Sequence, residues 1–217
     1  MSPIEAVVFD LDGVLVDSEH VWDEVREQLV RERGGHWHEG AQADMMGMSS
    51  TEWSRYMHDV IGLSDSPEEI NDEVARRMQA RYSDELPLLD GAVDAVRRLA
   101  AHFKLGLASS SNRLLIDSVL SEAAIAELFK ATVSSEEVAR GKPAPDVFLE
   151  CARRLEVPPE RCAAVEDSEN GIRSAHAAEM RVIAIPNRRY PPPDDGVALA
   201  DVVLDSVKEL TPRIVAG

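Results

Sequence analysis

Four short stretches carry residues that could do chemistry together. The first is Val7-Val8-Phe9-Asp10-Leu11-Asp12-Gly13, where two carboxylates stand one residue apart and a glycine follows at once. The second is Ser109-Ser110-Ser111-Asn112, the third Gly141-Lys142-Pro143-Ala144-Pro145, and the fourth Glu166-Asp167-Ser168-Glu169-Asn170-Gly171. Taken singly, each has an ordinary explanation. Asp and Gly favour turns, a lone Ser or Lys is common at a turn or surface, and Glu166-Asp167 suits the positive end of a helix. Three of them, however, come just after an apolar run, and Lys142 lies in a loop of the same kind. Brought to one edge, several carboxylates repel one another unless a cation sits between them, and hard oxygen ligands point to Mg²⁺. A hydroxyl and an ammonium nearby suit a phosphate group.

Parallel strands would bring these residues together. Ile4 to Phe9 is an apolar, β-branched run that reads as a buried strand with Asp10 at its carboxyl end, the edge where ligands sit in an open parallel sheet. Further strands are predicted over 103–108, 131–133, 162–165, 181–185 and 201–204, alternating with helices. That alternation predicts an α/β fold, a doubly wound parallel sheet with right-handed crossovers. Residues 188–196, with three prolines, are predicted to be a loop.

Between the first two strands the pattern is helical throughout. A helix over 18–33 puts Trp22, Val25 and Leu29 on one face, with Asp17 or Ser18 as its cap. A second runs over about 51–61. Ser66-Pro67-Glu68-Glu69 then announces a third, with Ser66 as cap, Pro67 in the first turn and Glu69 closing a capping box. Met45, Met46 and Met48 around Gly47 read as packing at a helix junction. His36 and His38 lack a third nearby ligand and read as solvent-facing. The division expected is a Rossmann-like core of residues 1–17 and 86–217, with an all-helical insertion over 18–85.

Composition narrows the partners. At 217 residues with 44% hydrophobic content, the chain can hold one large domain with a modest insertion and a full core. A net charge of −17 argues against nucleic acid or an anionic membrane surface as partner. Cys151 and Cys162 read as small core residues, so no disulfide framework is implied and a cytoplasmic setting is expected. Neither an export signal nor a run of ~18 apolar residues is evident, so no membrane span is expected. A monomer is the expected state.

In these motifs the chain resembles the haloacid dehalogenase-like hydrolases, in the phosphatase and β-phosphoglucomutase-like branch that carries a helical cap after the first motif. The resemblance rests on Asp10 to Ser18, Ser109 after its strand, Lys142 in Gly-Lys-Pro-Ala-Pro-Asp, and Glu166 to Ile172, in that order. It implies that Asp10 is a nucleophile forming an aspartyl-phosphate and also a metal ligand. Asp12 would be general acid and then base, its main-chain carbonyl also facing the metal. Asp167 would bind Mg²⁺, with Glu166 in the outer shell. Ser109 and Lys142 would hold the phosphoryl oxygens, helped by backbone N–H groups such as that of Ser110. The substrate implied is a small phosphate ester.

Within the family, Asp12 separates phosphoryl chemistry from dehalogenation, which needs no acid for an oxygen leaving group. The phosphonate-cleaving relatives use a cap lysine, and residues 18–85 contain none. The mutase relatives carry a histidine where Trp22 stands here, His20 lying two residues early, and an arginine where Ser50 stands. Both departures favour a phosphatase. Arg55, Arg76, Arg77 and Arg81 could supply a cation from elsewhere, although helical arginines usually face solvent. A sugar phosphomutase and a non-catalytic phosphate-binding protein are the alternatives.

Overall fold

The computed structural model describes residues 3–46 and 48–217. Gly47, placed by the sequence reading at a methionine-rich helix junction, lies outside the described residues. Six strands, all parallel, form one sheet: β1 (Ala6–Phe9), β2 (Lys104–Ser109), β3 (Phe129–Ser134), β4 (Cys162–Glu166), β5 (Arg181–Ala184) and β6 (Val202–Val203), in the order β3-β2-β1-β4-β5-β6. The chain leaves β1 toward β2 on one side and later returns to β4 on the other. The crevice between β1 and β4 is therefore a topological switch point, where loops diverge and leave room for a ligand.

Alternate strand residues enter two separate cores. Val7, Phe9, Leu105, Leu107, Val165 and Ile183 face one; Ala6, Val8, Ala108, Ala164, Val182 and Ala184 face the other. Burial on both faces explains why these strands read as continuous apolar runs. The second core is covered by α7 (Asp146–Leu155) and α8 (Glu169–Ala177), through Phe148, Cys151 and Ile172. Both cysteines are free and buried, as their surroundings in the sequence suggested. The first core receives α5 (Ala92–Ala100) and α6 (Arg113–Glu122).

The same apolar cluster runs on into four helices between β1 and α5: α1 (Glu19–Arg33), α2 (Ala41–Met45), α3 (Ser50–Asp59) and α4 (Pro67–Asp84). α4 packs against α1, α3 and α6. Ser66 caps α4 as read from sequence, accepting from Glu69 N–H while the Glu69 carboxylate takes the Ser66 N–H. α2 was not foreseen; it is five residues long, and Gly40 precedes it without a side-chain cap. Residues 188–196 are not wholly irregular either. A one-turn helix, α9 (Asp194–Val197), follows Pro193, which stands extended at the N-cap position and accepts on its C=O from the N–H groups of Gly196 and Val197, so its own missing N–H costs nothing there. No helix among the described residues is long and apolar enough to cross a membrane.

Polar contacts fasten the helical segment to the sheet's carboxyl edge. Glu136 accepts from Ser50 Oγ at 3.1 Å and from Asn112 Nδ2 at 2.7 Å, and that amide also donates to Asn71 Oδ1 at 3.0 Å.

Candidate active site

Sheet register sets the site. Phe9 lies opposite Val165, so the next residues, Asp10 and Glu166, leave β1 and β4 at one level. Asp10, Glu166 and Asp167 then offer carboxylate oxygens that all lie within 4.8 Å of one another, and all three residues are buried. Lys142 comes in from the loop before α7, itself only 4% exposed. Its Nζ donates to Asp10 Oδ1 at 2.7 Å and to Glu166 Oε1 at 2.5 Å, and it lies 5.0 Å from the centre of the Phe148 ring.

Three carboxylates against one ammonium leave an excess of buried negative charge. Burial raises the Asp10 carboxyl to about 8 against the pull of Lys142, with Glu166 and Asp12 adding to the rise. Asp167 is pushed well above the carboxylate range, by burial first and then by Glu166 and Asp10. Burial works against the Lys142 ammonium, but Asp10 and Glu166 outweigh it and hold the proton on. A divalent cation beside the ammonium would balance the three charges, and an all-carboxylate donor set fits a hard metal ion.

Two glycines make the room. Gly13 has φ +75°, and a Cβ there would fall 1.8 Å from Asp167 Oδ2. A Cβ on Gly171, in the first turn of α8, would fall 1.9 Å from the Glu166 carboxylate. Glu166 instead folds over that helix start, where its Oε2 accepts from the N–H groups of Asp167 and Ser168 at 3.0 and 3.3 Å. Asp167 is oriented by Asn187, whose Nδ2 donates to Oδ2 at 3.1 Å.

Asp12 is held apart from the acidic cluster. Its Oδ1 accepts from Ser18 Oγ at 2.5 Å and Trp22 Nε1 at 3.1 Å, and its Oδ2 from Ser111 Oγ at 2.6 Å. Ser18 does occupy the N-cap position of α1, but its side chain caps nothing there. The hydroxyl expected to cap the helix is spent on Asp12. Ser109, the last residue of β2, is fully buried, and its Oγ accepts from the Ser111 N–H at 3.0 Å. Ser110 and Ser111 line the cavity, together with Asp10, Asp12, Lys142 and Asp167.

The other side of this cavity is formed by Glu19, Trp22 and Arg26 of α1 with Trp53; of these the sequence pointed to Trp22 alone, at the position of the mutase histidine. Residues 19, 22 and 26 share one helix face. A charged residue four positions after Trp22, within a buried stripe, was the available signal. Burial lowers the Arg26 guanidinium to about 10, which leaves it charged at neutral pH. Burial and then Asp12 raise the Glu19 carboxyl to about 7. None of the arginines weighed from sequence lines the cavity: Arg55 is exposed, Arg76 pairs with Glu73, Arg77 with Glu32 and Glu73, and Arg81 with Glu24. His38 Nε2 lies 2.9 Å from Tyr56 Oη, and neither it nor His36 joins a metal-holding cluster among the described residues.

Fold and site together define a class. A family model described as haloacid dehalogenase-like hydrolase matches residues 4–179, and the chain belongs to that family. Hexitol phosphatase B of Escherichia coli K12 is 33% identical, the alignment covering 99% of this chain and 97% of the relative. The structure is similar to that of CbbY from Rhodobacter sphaeroides in complex with phosphate, with TM-score 0.83, 27% identity, and 95% and 96% of the two chains covered. It also matches β-phosphoglucomutase from Clostridium difficile, with TM-score 0.82 over 97% and 95% of the chains; at 23% identity that likeness concerns the fold.

Proposed function

We propose that the chain is a Mg²⁺-dependent phosphomonoester hydrolase of small phosphorylated metabolites, sugar phosphates among them, working through an aspartyl-phosphate on Asp10. The observation that carries this reading is the presence of Asp10, Asp12, Lys142 and Asp167 on one cavity at the switch point of the sheet. The phosphatase named among its relatives supports it.

Asp10, Asp167 and the Asp12 carbonyl would hold Mg²⁺, with Glu166 bracing Lys142 and the metal shell from behind. When bound, the ion supplies charge neutralisation for the carboxylates and the phosphoryl oxygens. Asp10 attacks phosphorus, and the bond from phosphorus to the ester oxygen breaks as that oxygen takes a proton from Asp12. Water then attacks the aspartyl-phosphate at phosphorus, giving its proton to Asp12, and Asp10 is released with inorganic phosphate. Lys142 and Ser109 hold the phosphoryl oxygens, with the N–H of Ser110. Ser109 Oγ accepts from Ser111 N–H, which leaves its own O–H to donate.

The bonds on Asp12 bear on which oxygen carries the proton. Indole N–H only donates, so Oδ1 facing Trp22 must stay an acceptor. Ser111 can turn its hydroxyl to donate or accept, so Oδ2 is the oxygen that gives and takes the proton. A histidine at position 22 could exchange a proton with Asp12; tryptophan cannot, which weighs against the mutase alternative. Residues 18–85 act as a cap whose departure admits substrate and whose return excludes bulk water, hinged near 17–18 and 86–91.

Phosphate release from a panel of small phosphomonoesters, with Mg²⁺ and with chelator, tests this. Release that needs the metal is expected; isomerisation without net release would favour a mutase, and binding without turnover a phosphate-binding protein.

A further inference from the structure

One buried cation on the cavity wall has no part in the chemistry above. Arg26 is 4% exposed and lines the same cavity as Asp10 and Lys142. Its guanidinium carbon lies 4.5 Å from the Trp22 ring centre and 4.7 Å from that of Trp53. Packed against two indoles that themselves meet edge to face, with ring centres 5.9 Å apart, the planar group is fixed before any ligand arrives, so little is lost in ordering it on binding. Nη1 donates to Gln42 Oε1 at 3.0 Å, and Gln42 Nε2 donates to Glu19 Oε2 at 2.9 Å. Nε, fully enclosed, donates to nothing among the described residues. A buried N–H left without an acceptor is rare in a native fold and calls for an explanation.

Resting on the phosphatase reading, we propose that Arg26 and Glu19, both on the cavity wall and bridged by Gln42, which does not line it, are the specificity-determining contact for the alcohol portion of the substrate, and that this alcohol is polyhydroxylated, a polyol or sugar. Substrate hydroxyls accept from Arg26 and donate to Glu19, which a simple alkyl chain cannot do. A second phosphate fits less well. It would meet one guanidinium already tied through Gln42 to an acid, in a cavity that Asp10, Asp12 and Asp167 also line. A hydroxyl finds both a donor and an acceptor without a charge penalty.

Three probes decide it: sorbitol 6-phosphate, hexyl phosphate of equal chain length without hydroxyls, and fructose 1,6-bisphosphate as a substrate with a second anion. Wild type is expected to prefer the sorbitol ester over the hexyl ester by about 10²-fold or more in kcat/KM. Arg26→Met is expected to shrink that ratio at least about ten-fold, mainly through KM, and Glu19→Gln to shrink it in the same direction. The inference is overturned if wild type turns over hexyl phosphate equally well, or if Arg26→Met lowers both esters alike, which marks a merely structural role. It is overturned too if the bisphosphate is preferred and that preference vanishes in Arg26→Met. Should Arg26→Met not fold, the wild-type ratio and Glu19→Gln still decide. Release from neither ester brings down the phosphatase reading itself, whereas release without preference removes only the role of Arg26.

Discussion

Asp12 divides its work between two oxygens, and its neighbours set the division. Trp22 and Ser18 fix Oδ1, while Ser111 attends Oδ2. Asp12→Asn keeps the shape but cannot deliver a proton, so kcat on alkyl phosphates is expected to fall about 10²- to 10⁴-fold. On p-nitrophenyl phosphate, whose leaving group needs little protonation, the loss should be far smaller. Equal losses on both would remove Asp12 from the acid role. At this scale the sequence was informative wherever one residue type at one place implies a charge problem: Asp10, Asp12, Lys142, Glu166 and Asp167 could all be picked out. It was silent on Gln42 and Asn187, and for Arg26 it offered only a charge set within a buried helical stripe, not the partners. Their contacts join residues 16 to 23 positions apart or, for Asn187 and Asp167, 20 apart, and no local pattern encodes such pairings.

At the scale of elements, the site depends on strand ends meeting loops that can approach closely. Gly13 and Gly171 supply that approach to Asp167 and Glu166. Gly13→Ala adds both a clash with a carboxylate and a side chain at positive φ; a stability loss of roughly 2 kcal/mol or more is expected, together with lost metal affinity. Thermal unfolding and metal titration would check this, and unchanged metal binding would contradict it. By contrast Ser66→Ala removes one cap of α4 far from the acids. It should cost about 1 kcal/mol and leave kcat unaltered. Long elements with strong caps were legible in sequence for the same physical reason that makes them stable. The five-residue α2 and the one-turn α9 were not, because neither is long enough to show a period.

Across the whole molecule, distant segments are tied by ion pairs that respond to pH. Glu137, just past β3, is reached by Arg113 of α6 and by Arg154 of α7, the latter at 2.8 Å. Burial would raise its carboxyl, but the hydrogen bonds from Arg113, from the Ser134 N–H and from Arg154 pull it down to about 2. A depressed folded-state value means stability present above the unfolded value of about 4.5 and lost as pH falls toward 2. Glu137→Gln should therefore be less stable than wild type near neutrality, by about 1 kcal/mol after allowance for partial exposure. That difference should vanish between about pH 4.5 and 2, and a gap that persists at acid pH would contradict the assignment. The contacts of Glu136 with Ser50 and Asn112 join the helical segment to the sheet edge. Glu136→Ala is expected to raise KM several-fold with little change in folding, because it loosens the closed arrangement that the proposed cap must reach.

The proposed mechanism requires a covalent bond between Asp10 and phosphorus. The direct measurement is borohydride reduction of enzyme quenched in acid during turnover, followed by peptide mass spectrometry. Residue 10 should appear as homoserine, in amounts that vanish without substrate or in Asp10→Asn. Steady phosphate release with an unmodified Asp10, or undiminished release by Asp10→Asn, would contradict it.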